Sequence, residues 1–234
     1  MPPSPPVIAR MQSRTDAWTD AADDRALFLR CYAMMTGNVI EAVGRGEFED
    51  GAWVDRLLHR FADYYFDGLD AYERAPEAAP AVWRQAHRLA ADAEAAPIQK
   101  LLVGVSAHIN YDLVLTLVDL LEGEWTALPE AARRARYADH CRVNDVIGRT
   151  IDAVQDEVLE PAMPVMAIID RWCGPLDEAV LSMLITRWRE GVWQNAVRLL
   201  ATPDPDARTR LVGRVEAGAL RTSRLVCPRA AHVL

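Results

Sequence analysis

The chain has 234 residues, 51% hydrophobic and 26% charged, an ordinary composition for a globular domain with an ample core. Its net charge of −8 argues against nucleic acid or an anionic membrane as a partner, since those need a clustered positive field. Cys31, Cys141, Cys173 and Cys227 lie far apart with no Cys-x-x-Cys pair, so they read as free thiols in a reducing compartment, and a cytoplasmic location is expected.

Proline and glycine punctuate a series of patterns with helical spacing, and nothing reads as a strand. Residues 1–6 are expected to form a flexible arm, without the basic and long apolar regions of a secretion signal, and residues 7–234 a single helical domain. A short helix is predicted from about Pro6 to Trp18. A longer one follows from Asp23 to Gly44, with Leu27, Cys31, Met34 and Met35 inward. Glu49-Asp50-Gly51 opens a third, running to about Glu73, with Trp53, Leu57, Leu58, Phe61, Tyr64, Tyr65 and Leu69 at 3–4 spacing. Pro80, Pro97, Pro129, Pro175 and Pro205 each read as a first helical position, where the missing N–H has no partner to lose. The helices they open cover about 80–95, 97–122, 129–159, 175–201 and 205–225, with Asp204 as the N-cap of the last. Short connections and no repeat give an all-α, single-domain bundle of about eight helices around a central buried helix at about 97–122.

That central run is apolar nearly all round, which marks a buried helix. It is long enough to span a bilayer, yet Lys100, His108, Asn110, Asp112 and Asp119 would each be costly there, so a core helix is expected and no membrane. Burying His108, Asn110 and Asp112 costs roughly 1–3 kcal/mol each unless each finds a partner. His108 and Asp112 stand one turn apart on one face. The pair suits a shared metal ion, or a general base whose ring Asp112 holds in one tautomer, or a buried structural hydrogen bond. Gly104 lets a neighbouring helix or a ligand approach the backbone. Asn110 points to the opposite side and suits a tie between helices.

His140 and Asn144 repeat the spacing, and with Gly148 and Asp152 form one stripe. If that stripe faces the central helix, His108, Asp112, His140 and Asn144 make a four-ligand site for one divalent metal; otherwise it is a solvated face. Asp139 lies about 140° round from Asn144, as 100° per residue requires. His59 and Asp63 share a face with Arg56, Asp67 and Asp70 and read as water-facing. Residues 144–152 resemble in part the second magnesium motif of class I terpene cyclases, N-D-x-x-S-x-x-x-E, with Gly148 and Asp152 in place of Ser and Glu. Arg189, between Trp188 and Trp193, can stack or fork onto a carboxylate, whether of Asp112 or of a substrate. The tryptophans themselves suit the core, a ligand box or a dimer face. No glycine-rich phosphate loop, G-x-S-x-G elbow, H-E-x-x-H or flavin motif is present.

The segment A-H-I-N-Y-D-L (107–113) resembles the A-H-I-N-x-D-L signature of a bacterial family known only as a domain of unknown function. R-M-Q at Arg10, F-A-D-Y-Y-F from Phe61, D-H-C-R-V-N from Asp139 and R-E-G-V-W from Arg189 fit the same family. The resemblance implies an all-helical fold and marks His108, Asn110, Asp112, Asp139, Asn144, Arg189 and Trp193. It implies no activity.

The expectation is a small-molecule enzyme of bacterial metabolism with an apolar pocket. His108 is its base or metal ligand, Asp112 the orienter or co-ligand, Asn110 and Asn144 positioners, and Arg189 an anion clamp. Tyr64, Tyr111, Asp139, Trp188 and Trp193 would contact the substrate, and the chemistry would be cyclisation or isomerisation. Metal-assisted hydrolysis or oxidation and terpene-cyclase-like chemistry are lesser variants. The alternative is a non-catalytic ligand-binding or scaffold protein, and a homodimer remains open.

Overall fold

Among the described residues eight helices are found: α1 (Pro6–Asp20), α2 (Arg25–Gly44), α3 (Gly51–Arg74), α4 (Ala81–Ala90), α5 (Pro97–Leu121), α6 (Glu130–Val154), α7 (Glu178–Leu200) and α8 (Pro205–Val226). Single 3-10 turns occur at Pro76–Ala78 and Pro228–His232. The computed structural model describes residues 5–154 and 178–232, and no strand occurs among them. The fold is thus the all-α, single-domain bundle that the periodicity predicts. Residues 1–4 of the expected arm, the stretch 155–159, Cys173 and Pro175 lie outside the described residues, as does the side chain of Asp152.

Local chemistry explains most helix ends. Pro97 and Pro205 open their helices, and the Asp204 carboxylate accepts from Ala207 N at 2.7 Å, the predicted cap. Pro80 and Pro129 stand one residue earlier than expected, just before α4 and α6. α4 also ends sooner, at Ala90 rather than about 95. Asp92 Oδ1 there accepts from Glu94 N at 2.9 Å, offering the backbone a turn in place of a further helical bond.

α5 runs through the middle and packs against α2, α3, α4, α7 and α8. It is long and apolar enough to cross a membrane, yet 78% of its most apolar stretch is buried within the fold. Its first half, with Leu101, Val103 and Ala107, belongs to a core with α1, α2 and α4. Its second half, with Leu113, Val114 and Leu117, belongs to a core with α3, α6 and α7. Between the halves, His108–Asp112 form one π turn, the widened i→i−5 geometry that recurs at functional sites.

Two glycines let aromatic side chains close on this core. A Cβ at Gly104 would lie 2.9 Å from ring atoms of Phe28, so the expected close neighbour is a side chain of α2. A Cβ at Gly68 of α3 would lie 2.9 Å from Trp83 Cδ1. Gly104→Ala is therefore expected to destabilise the fold by about 1–3 kcal/mol through overpacking. Gly213, exposed in mid-α8 with nothing within 4 Å of its Cβ direction, behaves oppositely. Gly213→Ala should stabilise by about 0.5–1 kcal/mol. Urea unfolding of both variants checks the pair, and shifts of the same sign would contradict it.

Candidate functional site

The widened turn on α5 places His108 and Asp112 side by side, with His108 Nδ1 2.9 Å from Asp112 Oδ2. The exposures are 3% and 1%, so water supplies nothing to either. Trp83 of α4 supplies the second partner: its indole N–H donates to both carboxylate oxygens, at 3.1 and 3.0 Å. Gly68 makes room for that indole. Around the imidazole stand five aromatic rings. Phe61 lies flat on it, centroids 3.5 Å apart and planes 7° apart, and Tyr32 meets it edge-on at 4.3 Å. Phe28, Tyr65 and Trp83 complete the box at 5.7–6.0 Å. His108 Nε2 is buried in this box with no hydrogen-bond partner.

A dry site penalises charge, and both members of the pair respond. Burial pushes His108 well below the usual imidazole range. It pushes Asp112 well above the usual carboxyl range, with the Trp83 hydrogen bond acting the other way. Both directions favour the neutral pair: one proton between Nδ1 and Oδ2, another on Nε2. Removing one proton leaves Nε2 as an acceptor. Burial likewise raises Tyr32 well above the usual phenol range.

His140 and Asn144 do not join this site. His140 Nε2–H donates to the Arg189 carbonyl at 3.0 Å, and Arg189 Nη2 donates to the His140 carbonyl at 2.7 Å, with Nδ1 at 3.4 Å. Both ring nitrogens are thus occupied in the α6–α7 seam. Among the described residues no three His, Cys, Asp or Glu side chains gather as a metal requires, so the four-ligand set is not assembled. Asn144 keeps a buried oxygen without a partner. Arg189 is no clamp on Asp112: it is 3% exposed, ties two helices, and burial pushes it down to about 10.

Other expected contacts also have structural employment. Asp139 is fully buried and accepts from the backbone amides of Glu49 and Asp50, at 2.7 and 2.8 Å, fixing the entrance to α3. Tyr64 faces outward, where its hydroxyl donates to Asp119 at 2.8 Å; its neighbour Tyr65 is the one at His108. Trp193 packs on Trp125, Tyr137 and His140, and Trp188 is 8% exposed, so both are largely buried. Tyr111, half-buried, touches both cores, and burial raises it to about 12. Asn110 does point away from His108, donating to Ser106 Oγ at 3.2 Å, which Ser223 of α8 reaches at 3.3 Å. His59, Asp63, Asp67 and Asp70 are exposed, as expected. Cys31, Cys141 and Cys227 are free thiols. Sequence reasoning passed over Trp83, Phe28 and Tyr32. The last two stand four apart beside the inward Leu27 and Cys31, a legible aromatic ridge, whereas nothing local signals Trp83.

A family of unknown function, DUF5995, matches residues 5–228, nearly the whole chain. No curated protein and no solved structure matches.

The buried imidazoles predict the pH dependence of stability. Burial lowers His87, which stacks on Trp83, to about 3, and lowers His108 and His140 well below 6.5. Their unfolded forms take up protons near pH 6.5 while the folded forms do not, so stability is lost as pH falls below 6.5. Asp112, raised when folded, acts with the opposite sign. The three imidazoles outnumber that one carboxyl, so unfolding takes up protons overall and stability is expected to fall from pH 7.5 to pH 5.5. Urea unfolding at pH 7.5, 6.5 and 5.5 measures it; unchanged stability down to pH 5.5 would contradict the burial of these rings.

Proposed function

We propose, for a chain that belongs to the family of unknown function DUF5995, that His108 and Asp112 are the acid–base pair of an enzyme acting on a small, partly apolar molecule. The observation that carries this reading is His108 Nε2, buried and unpartnered on a ring whose other nitrogen is anchored by Asp112. An unpaired buried polar atom costs about 1–3 kcal/mol. Others occur in this fold, at Tyr32, Thr36, Trp53 and His87 among them, and His108 Nε2 differs in sitting on a ring anchored by a carboxylate. The π turn beneath it and the opposed pKa shifts of the pair support the same reading. In the neutral pair Nε2–H gives a proton to the substrate; with one proton fewer, Nε2 takes one. Asp112 holds the ring and, with Trp83, steadies the charge that forms. Such proton movements serve cyclisation or isomerisation. Phe61, half-buried and flat on the imidazole, is the side chain a substrate displaces.

The flush Phe61 contact also favours a second reading, in which the dyad fixes helix register and the protein binds ligand without converting it. One experiment separates the two. The purified protein and His108→Asn are incubated with a bacterial metabolite extract, followed by chromatography and mass spectrometry. Asn keeps an amide where Nδ1 meets Asp112 and lacks Nε2. The acid–base reading expects a compound converted to a product of unchanged mass, at least about 10²-fold slower with the variant, while the unfolding midpoint stays within a few degrees. Conversion at equal rates, or none at all, overturns it. Under the second reading the triple change Trp83→Phe, His108→Leu, Asp112→Leu leaves the fold as stable as before.

A further inference from the structure

A cleft of about 560 Å³ opens between α7 and α8, with Asn110 of α5 in its wall. Asn110 stands across the central helix from the His108 box, so this cleft and the dyad occupy opposite sides of one turn. Trp188, Val192, Leu199 and Val215 give the cleft an apolar wall. Its border carries Arg187, Arg198, Arg214 and Arg221, and among the described residues no aspartate or glutamate lines it. None of the four makes an ion pair among the described residues. Arginines elsewhere, such as Arg25, Arg60 and Arg208, do meet carboxylates. On a chain of net charge −8, these four exposed arginines make the cleft border locally positive, which favours an anionic ligand.

Their spacing is ordered. Arg187 and Arg198 stand three turns apart on one face of α7, about 16 Å, and Arg214 and Arg221 two turns apart on α8, about 10 Å. Two glycines keep the cleft open. Gly191 and Gly218 line it from helix interiors, where glycine costs about 0.5–1 kcal/mol relative to alanine. A Cβ at Gly191 would meet nothing within 4 Å, and one at Gly218 only Arg221, at 3.8 Å. Packing against the protein therefore does not demand either glycine.

We infer that this cleft binds a small amphipathic organic anion: an arginine of the border forks onto its carboxylate or phosphate head while the others keep the cleft positive, and its apolar body lies along Trp188. The planar guanidinium matches both heads, and the volume suits a small molecule. Asn110 connects the cleft to the turn carrying His108 and Asp112, yet the inference stands whether or not that pair is catalytic.

Calorimetric titration with octanoate, octyl phosphate and uncharged 1-octanol tests it, the two anions distinguishing the head groups. At least one anion is expected to bind saturably, at least tenfold tighter than 1-octanol. Arg187→Gln with Arg214→Gln should weaken that binding at least tenfold, and Gly191→Leu, which fills the cleft without changing charge, should do the same. His108→Asn should bind like the wild type, so loss of the acid–base reading leaves this result intact. Absence of saturable anion binding, equal binding of 1-octanol, or insensitivity to the cleft variants overturns the inference.

Discussion

A carboxylate in the middle of an apolar helix sets the conditions for much of this structure. Asp112 is 1% exposed, and an unpaired charge at such a depth would cost several kcal/mol, which is why burial favours its neutral form. It is tolerable because Trp83 and His108 both reach it. Each requirement propagates. The indole arrives only because α3 carries Gly68 opposite α4, and the imidazole stays oriented because Phe61 and Tyr32 press on it. The aromatic box, the π turn and the junction of two apolar cores thus meet at one side chain.

Several other buried polar groups act as ties between elements. Lys100, costly in an apolar run, meets Asp24 of the α1–α2 connection at 2.6 Å. Asp139 holds the start of α3, and Asp50 in that loop accepts from Arg136 at 2.5 Å. Arg189 and His140 exchange bonds across α6 and α7, and Ser106 meets Ser223 between α5 and α8. Apolar contacts alone leave helices free to slide by a turn at little cost. Directional bonds at these points specify which turn faces which, at some expense of stability.

The two sides of α5 differ in kind. One is dry, aromatic and closed over His108; the other opens to solvent between α7 and α8, with arginines at its border. His108 and Asn110, two residues apart on the widened turn, belong to opposite sides. Among the described residues that turn is the element shared by the proposed chemistry and the proposed anion cleft. A shift in its hydrogen bonding would move both.

The helices, their order and most of their ends follow from local chemistry: Asp204 capping α8, prolines opening helices, glycine and proline punctuating the rest. His108 beside Asp112 is local too, since residues four apart share a face. The stretch at His140 and Asn144 has the same spacing and a different fate, because its ring nitrogens meet Arg189 instead of the dyad. Tyr64 and Tyr65 are indistinguishable by type, yet one bonds Asp119 at the surface and the other lines the box. Trp83 reaches Asp112 from 29 positions away, through a gap that a glycine on a third helix provides. The sequence by itself therefore determined the helices and the one polar pair within a turn. Which helix faces meet, and so which residues complete that pair, was decided only by tertiary packing, because such contacts depend on the mutual rotation of whole helices, which no local spacing encodes.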